Sequence, residues 1–169
     1  MIPDIELQLQ VVIKSLADNV LPAVDPENQL ALQQAQLSVA TLKAVVQNLP
    51  LQQRLLREDV ELNCSLAETL SNDILNAEKR KQIEDAVTDS RNALRDPTNN
   101  FTDLQWYARE LRAEISGLIK SGDVTLNDAY SNVLKTSERC LMLGRSYNKS
   151  MGFEPNNQDV PSLEALLSE

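Results

Sequence analysis

Residues 126–152, LNDAYSNVLKTSERCLMLGRSYNKSMG, carry the most regular apolar spacing in the chain. Apolar or small side chains recur there at alternating intervals of four and three residues, namely at Leu126, Tyr130, Val133, Ser137, Cys140, Gly144, Tyr147 and Met151. Because an α-helix has 3.6 residues per turn, this spacing predicts one face of a single long helix. Gly152 is placed to end that helix, since glycine adopts the left-handed backbone conformation that follows many helices.

Similar apolar stripes upstream predict five more helices. Breaks at Pro22, Pro50, the SND turn at residues 71–73 and the Asp96-Pro97 pair separate them. Proline cannot donate the backbone hydrogen bond that a helix interior needs. The predicted helices cover about residues 3–21, 26–49, 51–74, 77–95 and 102–121. The first of these has its apolar face at Ile5, Leu9, Val12, Leu16 and Val20. The apolar face of the last is Leu104, Ala108, Leu111, Ile115 and Leu118, and Gly122 is placed to end that helix.

The end of the chain has a different pattern. The turn-rich segment EPNNQD is followed by VPSLEALLSE, which predicts a short helix with Leu163, Leu166 and Leu167 on one side. We therefore expect one bundle domain over residues 1–152, with a linker and a short C-terminal helix over residues 153–169. This helix can pack on its own bundle, or its leucines can dock in a groove of a partner protein.

The composition agrees with helices and argues against a β-fold. The chain has 169 residues, only 4 glycines and 4% aromatic residues, whereas sandwiches and barrels need more β-branched residues, aromatics and turn glycines. We predict an all-α fold, an antiparallel helical bundle of about six helices plus the short C-terminal helix, since short connections favour antiparallel neighbours.

The charge restricts the class of partner. The formal net charge is −9, while nucleic-acid binders are basic and anionic lipid repels an acidic surface. No run of about 18 apolar residues is present to span a bilayer, and the segment MIPDIELQLQ does not resemble a signal peptide. We expect a soluble cytoplasmic protein, with no nucleic-acid or membrane partner, whose cysteines Cys64 and Cys140 are reduced and buried.

The residue inventory excludes several kinds of catalysis. The chain has no histidine and 2 cysteines, so it cannot build a Ser-His-Asp or Cys-His site, or a zinc site with four Cys and His ligands. We expect no cofactor. The remaining catalytic groups are carboxylates, among which Glu58 and Glu61 lie one helical turn apart. They are the candidate ligands of a divalent ion between helices, although a solvated helix face explains them too.

Two clusters of ring and charged residues are candidate binding sites. In DLQWYARELR, residues 103–112, Arg109 lies three positions after Trp106, so that it can stack on the indole and, with Arg112, contact an anion or a peptide. The alternative is a half-buried Trp106 that shields the edge of the bundle. In the last long helix, Tyr130, Arg145 and Tyr147 are candidate polar pocket residues.

Gly144 lies between these pocket residues. A glycine inside a helix costs about 1 kcal/mol relative to alanine. We therefore expect a neighbouring helix or a ligand to occupy the space that its missing side chain leaves.

The first fifty residues suggest a surface for association. They hold five acids and two lysines, with many glutamines. Two amphipathic helices of such low charge predict either wide burial inside the bundle or a two-fold dimer that uses this hairpin.

Together these observations predict a non-enzymatic protein–protein interaction or accessory module that binds a protein partner or self-associates as a homodimer. The alternative is an enzyme that binds a small molecule or depends on a divalent metal, with a carboxylate site between helices. A carrier of apolar ligands is a third reading, which needs an internal cavity.

Overall fold

The computed structural model describes residues 2, 4–122, 124, 126–152 and 156–168, and of residues 126–130 the backbone. Over these residues the protein is all-α, as predicted, with six long helices, a short seventh helix and no β-strand. The α-helices are α1 Ile5–Ser15, α2 Gln29–Asn48, α3 Gln52–Ser71, α4 Ala77–Arg95, α5 Phe101–Ser121, α6 Leu126–Tyr147 and α7 Leu163–Leu166. Short 3₁₀ turns lie at Leu21–Ala23, Leu49–Leu51, Lys149–Met151 and Asn157–Asp159.

Local hydrogen bonds fix where several helices begin and end. Asn100 forms a reciprocal capping box with Asp103 at the start of α5, which pairs backbone N–H groups that have no partner within the helix. Single side-chain caps start four other helices, at Asp4, Asn28, Asn76 and Ser162. Gly122 follows α5 with a φ of 69°, in the left-handed conformation that the sequence predicted for a helix end.

The chain forms two compact units. One contains residues 53–142 and the other contains residues 1–52 with residues 143–169. The predicted domain boundary after residue 152 stays a prediction, and residues 153–155 of the predicted linker lie outside the described residues. Residues 156–168 belong by their contacts to the same unit as α1 and α2.

The 53–142 unit has an apolar core. Its buried side chains include the whole predicted stripe of α5, which is Leu104, Ala108, Leu111, Ile115 and Leu118, and the α4 residues Ile83 and Val87. From α3 come Val60, Cys64, Ala67 and Leu70. At one end Ile74 and Val124 form an isolated antiparallel bridge, so that the α3–α4 and α5–α6 connections meet.

Ion pairs join α3 to its three neighbours in this unit. Arg139 of α6 donates two hydrogen bonds to Glu58, at 3.1 and 3.2 Å. Arg91 of α4 binds both Glu61 and Glu68, and these hydrogen bonds raise the pKa of its guanidinium.

Arg112 of α5 donates to Asp59 at 3.1 Å, which adds a third neighbour to the ion pairs of α3. Burial raises the pKa of Asp59, and the attraction of Arg112 and a hydrogen bond from Asn63 offset this only in part. The effect of desolvation on the pKa of Asp59 is therefore larger than the effect of its attraction to Arg112.

The unit formed by residues 1–52 and 143–169 has a smaller core. Its buried apolar side chains are Val39, Ala44, Leu143, Val160, Leu163 and Leu166. Asn48, at the end of α2, is also buried and donates to the carbonyl oxygens of Ala44 and Tyr147, both at 2.9 Å. Both N–H donors of this amide thus join the ends of α2 and α6.

The C-terminal segment packs on its own chain. Leu163 and Leu166 are buried and Leu167 is half-buried. The Ser146 hydroxyl donates to the carbonyl oxygen of Pro161 at 2.6 Å, and Lys149 donates to that of Val160. Of the two alternatives for this segment, the structure has the intramolecular one.

The first helix differs from its prediction. Its α-helical part ends at Ser15, and Leu16–Val20 form a π-helical turn in which the Leu21 N–H donates to the Leu16 carbonyl oxygen. This wider turn contains one residue more than an α-turn. Val20, predicted on the inner face, is therefore exposed, and Leu21 is half-buried instead.

The apolar stripe predicted for α6 is wrong in its middle part. Val133, Tyr147 and Met151 are half-buried as the stripe requires. Ser137, Cys140 and Gly144 are exposed, whereas Thr136 and Arg139 are half-buried and Leu143 and Ser146 are buried. The side chains of Leu126 and Tyr130 lie outside the described residues. The inner face of α6 is partly polar, since Arg139 and Ser146 have hydrogen-bond partners there. The spacing of apolar residues in the sequence cannot detect buried positions that are polar. The expectation that Cys140 is buried was therefore wrong.

Among the residues that the structure describes, none closely approaches the position of a side chain at Gly144. A Cβ built on it has no other atom within 4 Å, apart from the atoms of its own helix backbone and adjacent residues. No described residue of the chain fills this space, and its occupation by a ligand stays a prediction.

None of the helices in the described part of the chain is long and apolar enough to cross a membrane.

Candidate functional site: an apolar N-terminal surface

The side chains of α1 are apolar on more than one side of the helix. In IELQLQVVI, residues 5–13, apolar residues recur at every second position, but successive alternate positions in a helix point about 200° apart. Leu9, Ile13 and Leu16 are half-buried, and Leu7 and Val11 therefore point away from them.

Leu7 and Val11 are among several exposed apolar residues in the unit formed by residues 1–52 and 143–169. Leu7 is 57% exposed and Val11 is 61% exposed, and no residue of α1 is buried. We give the name hairpin surface to the exposed apolar residues between the start of α1 and the start of α2, which are Ile5, Leu7, Val11, Val12, Val20 and Leu30. Of these, Leu7 and Val11 share the outward side of α1. An apolar helix is normally buried on all sides, so the hairpin surface has the character of an interaction site.

The charges around the hairpin surface are mainly negative. The exposed acids of this part of the chain are Asp4, Glu6, Asp18, Asp25 and Glu27. Lys14 and Lys43 are the bases of residues 1–50, which gives five acids minus two bases, a net charge of −3. Lys43 is the charged residue of α2, whose other polar positions are mostly glutamines. A partner therefore meets an apolar surface with an acidic rim.

A shallow groove of about 390 Å³ lies on the outer side of α2. Its lining consists of Gln33, Gln34, Gln36, Leu37, Ala40 and Met151. These side chains offer amide hydrogen bonds and apolar contact, but they include no acid or base for proton transfer. The groove adds polar, uncharged contact area to the same unit as the hairpin surface.

The predicted ring and guanidinium cluster on α5 is only partly assembled. Trp106 is 56% exposed and packs edge-on against Tyr107, with ring centroids 4.9 Å apart. Arg109 is exposed on the outer side of the same helix. Arg112 is held by Asp59 and by the carbonyl oxygen of Ala108. The structure thus keeps Trp106 and Arg109 accessible, and it uses Arg112 for packing α5 against α3.

The two candidate metal ligands are held by different arginines. Glu58 binds Arg139 and Glu61 binds Arg91, and a cation that used both carboxylates would have to displace two guanidinium groups. Among the residues that the structure describes, no group of three or more Asp, Glu or Cys side chains could hold a metal ion.

The predicted polar pocket residues of α6 have separate surroundings. The Tyr147 hydroxyl accepts a hydrogen bond from Gln52 at 2.9 Å, and Arg145 is half-buried with an interaction of its own. The side chain of Tyr130 lies outside the described residues. Tyr147 therefore serves in the described structure to join the end of α6 to the start of α3.

Neither thiol has the low pKa of a reactive cysteine. Burial raises the pKa of Cys64 from 9.0 to about 11. Burial also raises the pKa of Cys140, where Asp59 adds to the effect, although this side chain is exposed. Both groups are neutral thiols near pH 7, which argues against nucleophilic catalysis by either of them.

The spacing of apolar residues did not predict which residues form the hairpin surface. The four-and-three spacing placed Ile5, Val12 and Val20 on the inner face, and it included neither Leu7 nor Val11. The two-residue alternation in IELQLQVVI was the available signal, because it cannot place all its apolar residues on one side of a helix.

No protein-family model, curated protein or solved structure matches this chain.

Proposed function

We propose that the protein is a non-catalytic interaction module whose hairpin surface binds an amphipathic helix of a partner protein, with lysines or arginines beside its apolar face. The observation that carries this proposal is the exposure of Leu7 and Val11 on a helix without a single buried residue. Helices of this kind commonly pair with a second helix through residues at i, i+3, i+4 and i+7.

Burial of apolar area drives this binding. Fully burying a large aliphatic side chain stabilises by about 1.5–3 kcal/mol relative to leaving it in water. Leu7, Val11 and Leu30 are each more than half exposed, so that a partner helix can gain a large part of this free energy at each position. The low charge of α2 keeps the desolvation cost small.

The acidic rim selects the kind of partner. Residues 1–50 have a net charge of −3, which attracts a basic partner, whereas a second copy brings the same negative charge to the contact. For this reason we favour a cationic partner over a homodimer through the hairpin surface.

Binding of designed peptides tests the proposal. One peptide is an amphipathic helix with leucines on one face and lysines on the other, and the matched peptide has glutamates in place of the lysines. We expect the lysine peptide to shift backbone NMR signals of α1 and the start of α2 in the ¹⁵N-labelled full chain. The glutamate peptide should bind at least tenfold more weakly.

Two variants, one double and one single, locate the site. Leu7→Ser with Val11→Ser should weaken binding of the lysine peptide at least tenfold, because both side chains are exposed and contribute contact area. Leu75→Ser is the control, since Leu75 is 77% exposed but lies in the other unit. Equal binding by both variants overturns the proposal. Self-association that the double variant abolishes would instead identify a second copy as the occupant.

A further inference from the structure

A small polar pocket lies where the ends of α2 and α6 meet the C-terminal segment. Its volume is about 230 Å³, and its lining belongs wholly to the unit formed by residues 1–52 and 143–169. Asn48 of α2, Ser146 of α6 and Leu163 of α7 are its buried lining residues. The remaining lining is made of polar side chains that are exposed or half-buried. We call this cavity the Asn48 pocket.

Asn48 has a hydrogen-bond acceptor that the chain does not use. The residue is only 4% exposed, and its amide nitrogen donates both hydrogens to backbone carbonyl oxygens. Because both partners are acceptors, the hydrogen bonds also fix which atom is the nitrogen and which is Oδ1. No donor among the described residues bonds Oδ1, and the side chain does not cap the 3₁₀ turn that follows it.

This oxygen is open to the pocket. In the described part of the chain, every fully buried side-chain oxygen or nitrogen has a hydrogen-bond partner. Oδ1 has none from the chain, so it is among the few accessible atoms of Asn48, and the pocket is the open space that this residue borders. A ligand in the Asn48 pocket therefore meets an acceptor that requires an N–H or O–H group.

The charge of the lining favours an anion. Lys149 is its one charged residue, and the lining contains no acid. The ammonium group donates to the carbonyl oxygen of Val160, which leaves two of its three hydrogens for a ligand. Asp159 and Glu164 are exposed acids of the same segment, but neither lines the pocket. A negative group of a ligand can thus form a charge-assisted hydrogen bond with Lys149.

The two features together define a class of ligand. Liquid water occupies about 30 Å³ per molecule, so a volume of about 230 Å³ accommodates roughly eight non-hydrogen atoms. We propose that the Asn48 pocket binds a short-chain carboxylate that also carries a hydroxyl or amino group. The carboxylate accepts from Lys149, and the hydroxyl or amino group donates to Asn48 Oδ1.

The surroundings favour a carboxylate over a phosphate. Nine acids and four bases belong to the unit that contains the pocket, and a single lysine balances a single negative charge. A phosphate monoester carries about −1.5 to −2 near pH 7, so part of its charge would remain unbalanced in an acidic unit.

This site is separate from the hairpin surface. Leu30 and Asn48 lie 18 residues apart on α2, which is about 27 Å along the helix at 1.5 Å per residue. A ligand in the Asn48 pocket contacts the C-terminal segment and the ends of α2 and α6, whereas a cationic helix on the hairpin surface contacts α1. Either proposal can therefore fail without the other.

Four small molecules with the same carbon chain test the proposal on the ¹⁵N-labelled full chain. 2-Hydroxybutyrate and 2-aminobutyrate have a carboxylate and a donor, butyrate lacks the donor, and 2-hydroxybutyramide lacks the charge. We expect at least one of the first two to shift the backbone NMR signals of Asn48, Lys149 and Ser162. Butyrate and 2-hydroxybutyramide should bind about tenfold more weakly or less, since each loses one hydrogen bond.

The comparison of the first two molecules identifies the source of the ligand. Tighter binding of 2-hydroxybutyrate indicates hydroxy acids, and tighter binding of 2-aminobutyrate indicates amino acids. If neither shifts these signals, the pocket holds only water and the proposal is overturned. Equal affinity for butyrate overturns it too, because Asn48 Oδ1 then has no role in binding.

Substitutions locate the site. Lys149→Gln should weaken binding about tenfold, whereas Lys43→Gln removes the same charge from an exposed position of α2 and should leave binding unchanged. Lys149 also bonds the C-terminal segment, so Ser150→Leu provides a second variant. Ser150 is an exposed residue of the lining, and the larger side chain should weaken binding about fivefold without lowering the melting temperature. Equal binding by Ser150→Leu, Lys149→Gln and the natural chain excludes this pocket.

Discussion

At the scale of single residues, two glycines of α5 predict opposite effects of the same substitution. Gly117 lies inside the helix with open space around its Cα, while Gly122 ends the helix with a φ of 69°. Gly117→Ala should stabilise the protein by about 0.5–1 kcal/mol, because alanine loses less conformational entropy in a helix. Gly122→Ala should destabilise it by about 1 kcal/mol or more, since alanine is strained in the left-handed region. Urea unfolding of both variants measures the two free energies.

One outcome of these two measurements would contradict the prediction. If both alanine variants change the free energy of unfolding in the same direction, the left-handed end of α5 is not a feature of the folded protein in solution.

Cys64 predicts a pH dependence of stability. Its pKa in the folded state is raised from 9.0 to about 11, so that the unfolded chain loses this proton first as the pH rises. The thiol's contribution to stability is complete below pH 9.0 and is lost toward pH 11, with a slope of about 1.4 kcal/mol per pH unit. Urea unfolding between pH 8 and 10.5 measures this slope.

Cys64→Ala is the matched variant for this measurement. It removes the thiol but keeps all lysines and tyrosines that titrate in the same range, so the difference between the two chains isolates Cys64. We expect the natural chain to lose its advantage over the variant above pH 9. A difference that is constant with pH would show that Cys64 is as accessible to ionisation in the folded state as in the unfolded state.

At the scale of helices, the ion pairs of α3 predict a measurable coupling between α3 and α6. Glu58 and Arg139 are both about three-quarters buried at the side chain and share two hydrogen bonds. A double-mutant cycle with Glu58→Gln and Arg139→Met should give a coupling free energy of about 0.5–1 kcal/mol. The coupling should decrease in high salt, because screening weakens the attraction.

A cycle that combines Arg139→Met with Asp89→Asn serves as the control. Asp89 is an exposed residue of α4, and its substitution should add to that of Arg139 without coupling. If the Glu58 cycle gives no more coupling than this control, the ion pair between Glu58 and Arg139 does not stabilise the protein in solution.

The helices also show what sequence periodicity can predict. On α5 every residue of the predicted stripe is buried, because that helix faces an apolar core along its length. On α6 the same method wrongly placed Ser137, Cys140 and Gly144 on the inner face, where Arg139 and Ser146 point inward and have partners instead. Periodicity counts apolar residues, and it therefore fails wherever a buried polar side chain is satisfied by a residue distant in sequence.

At the scale of the whole molecule, the distribution of buried residues predicts uneven protection from hydrogen exchange. α1 contains no buried residue, whereas α5 contains five. Backbone amides exchange through local opening, and helices with few buried contacts open most readily. We expect the amides of α1 to exchange much faster than those of α5 in exchange measured by mass spectrometry.

Addition of the lysine peptide provides a second arm of this experiment. If the hairpin surface binds the peptide, exchange in α1 should become slower while exchange in α5 stays the same. Uniform protection of α1 and α5 in the free chain would contradict the division between a well-buried and a poorly buried set of helices.

The fold class and the candidate sites differ in how far the sequence predicts them. Helix-forming composition and proline breaks are local properties, and they predicted the all-α bundle and most helix limits. The hairpin surface and the inner face of α6 depend on which side of a helix is covered, which is a property of tertiary packing. The alternation around Leu7 shows only that some apolar residues of α1 lie outside, and Leu141 looks like an ordinary core leucine in the sequence until its exposure is known.

The π-helical turn at Leu16–Val20 affects which changes of chain length the protein can accept. A turn of this kind contains one residue beyond the α-helical repeat, so deletion of a single residue there would leave an ordinary α-helix and keep the positions before it unchanged. The same deletion in the middle of α4 would rotate Ile83 by about 100° relative to Ser90 and remove one of them from the core. Homologous chains that are one residue shorter should therefore lack that residue between Ser15 and Leu21.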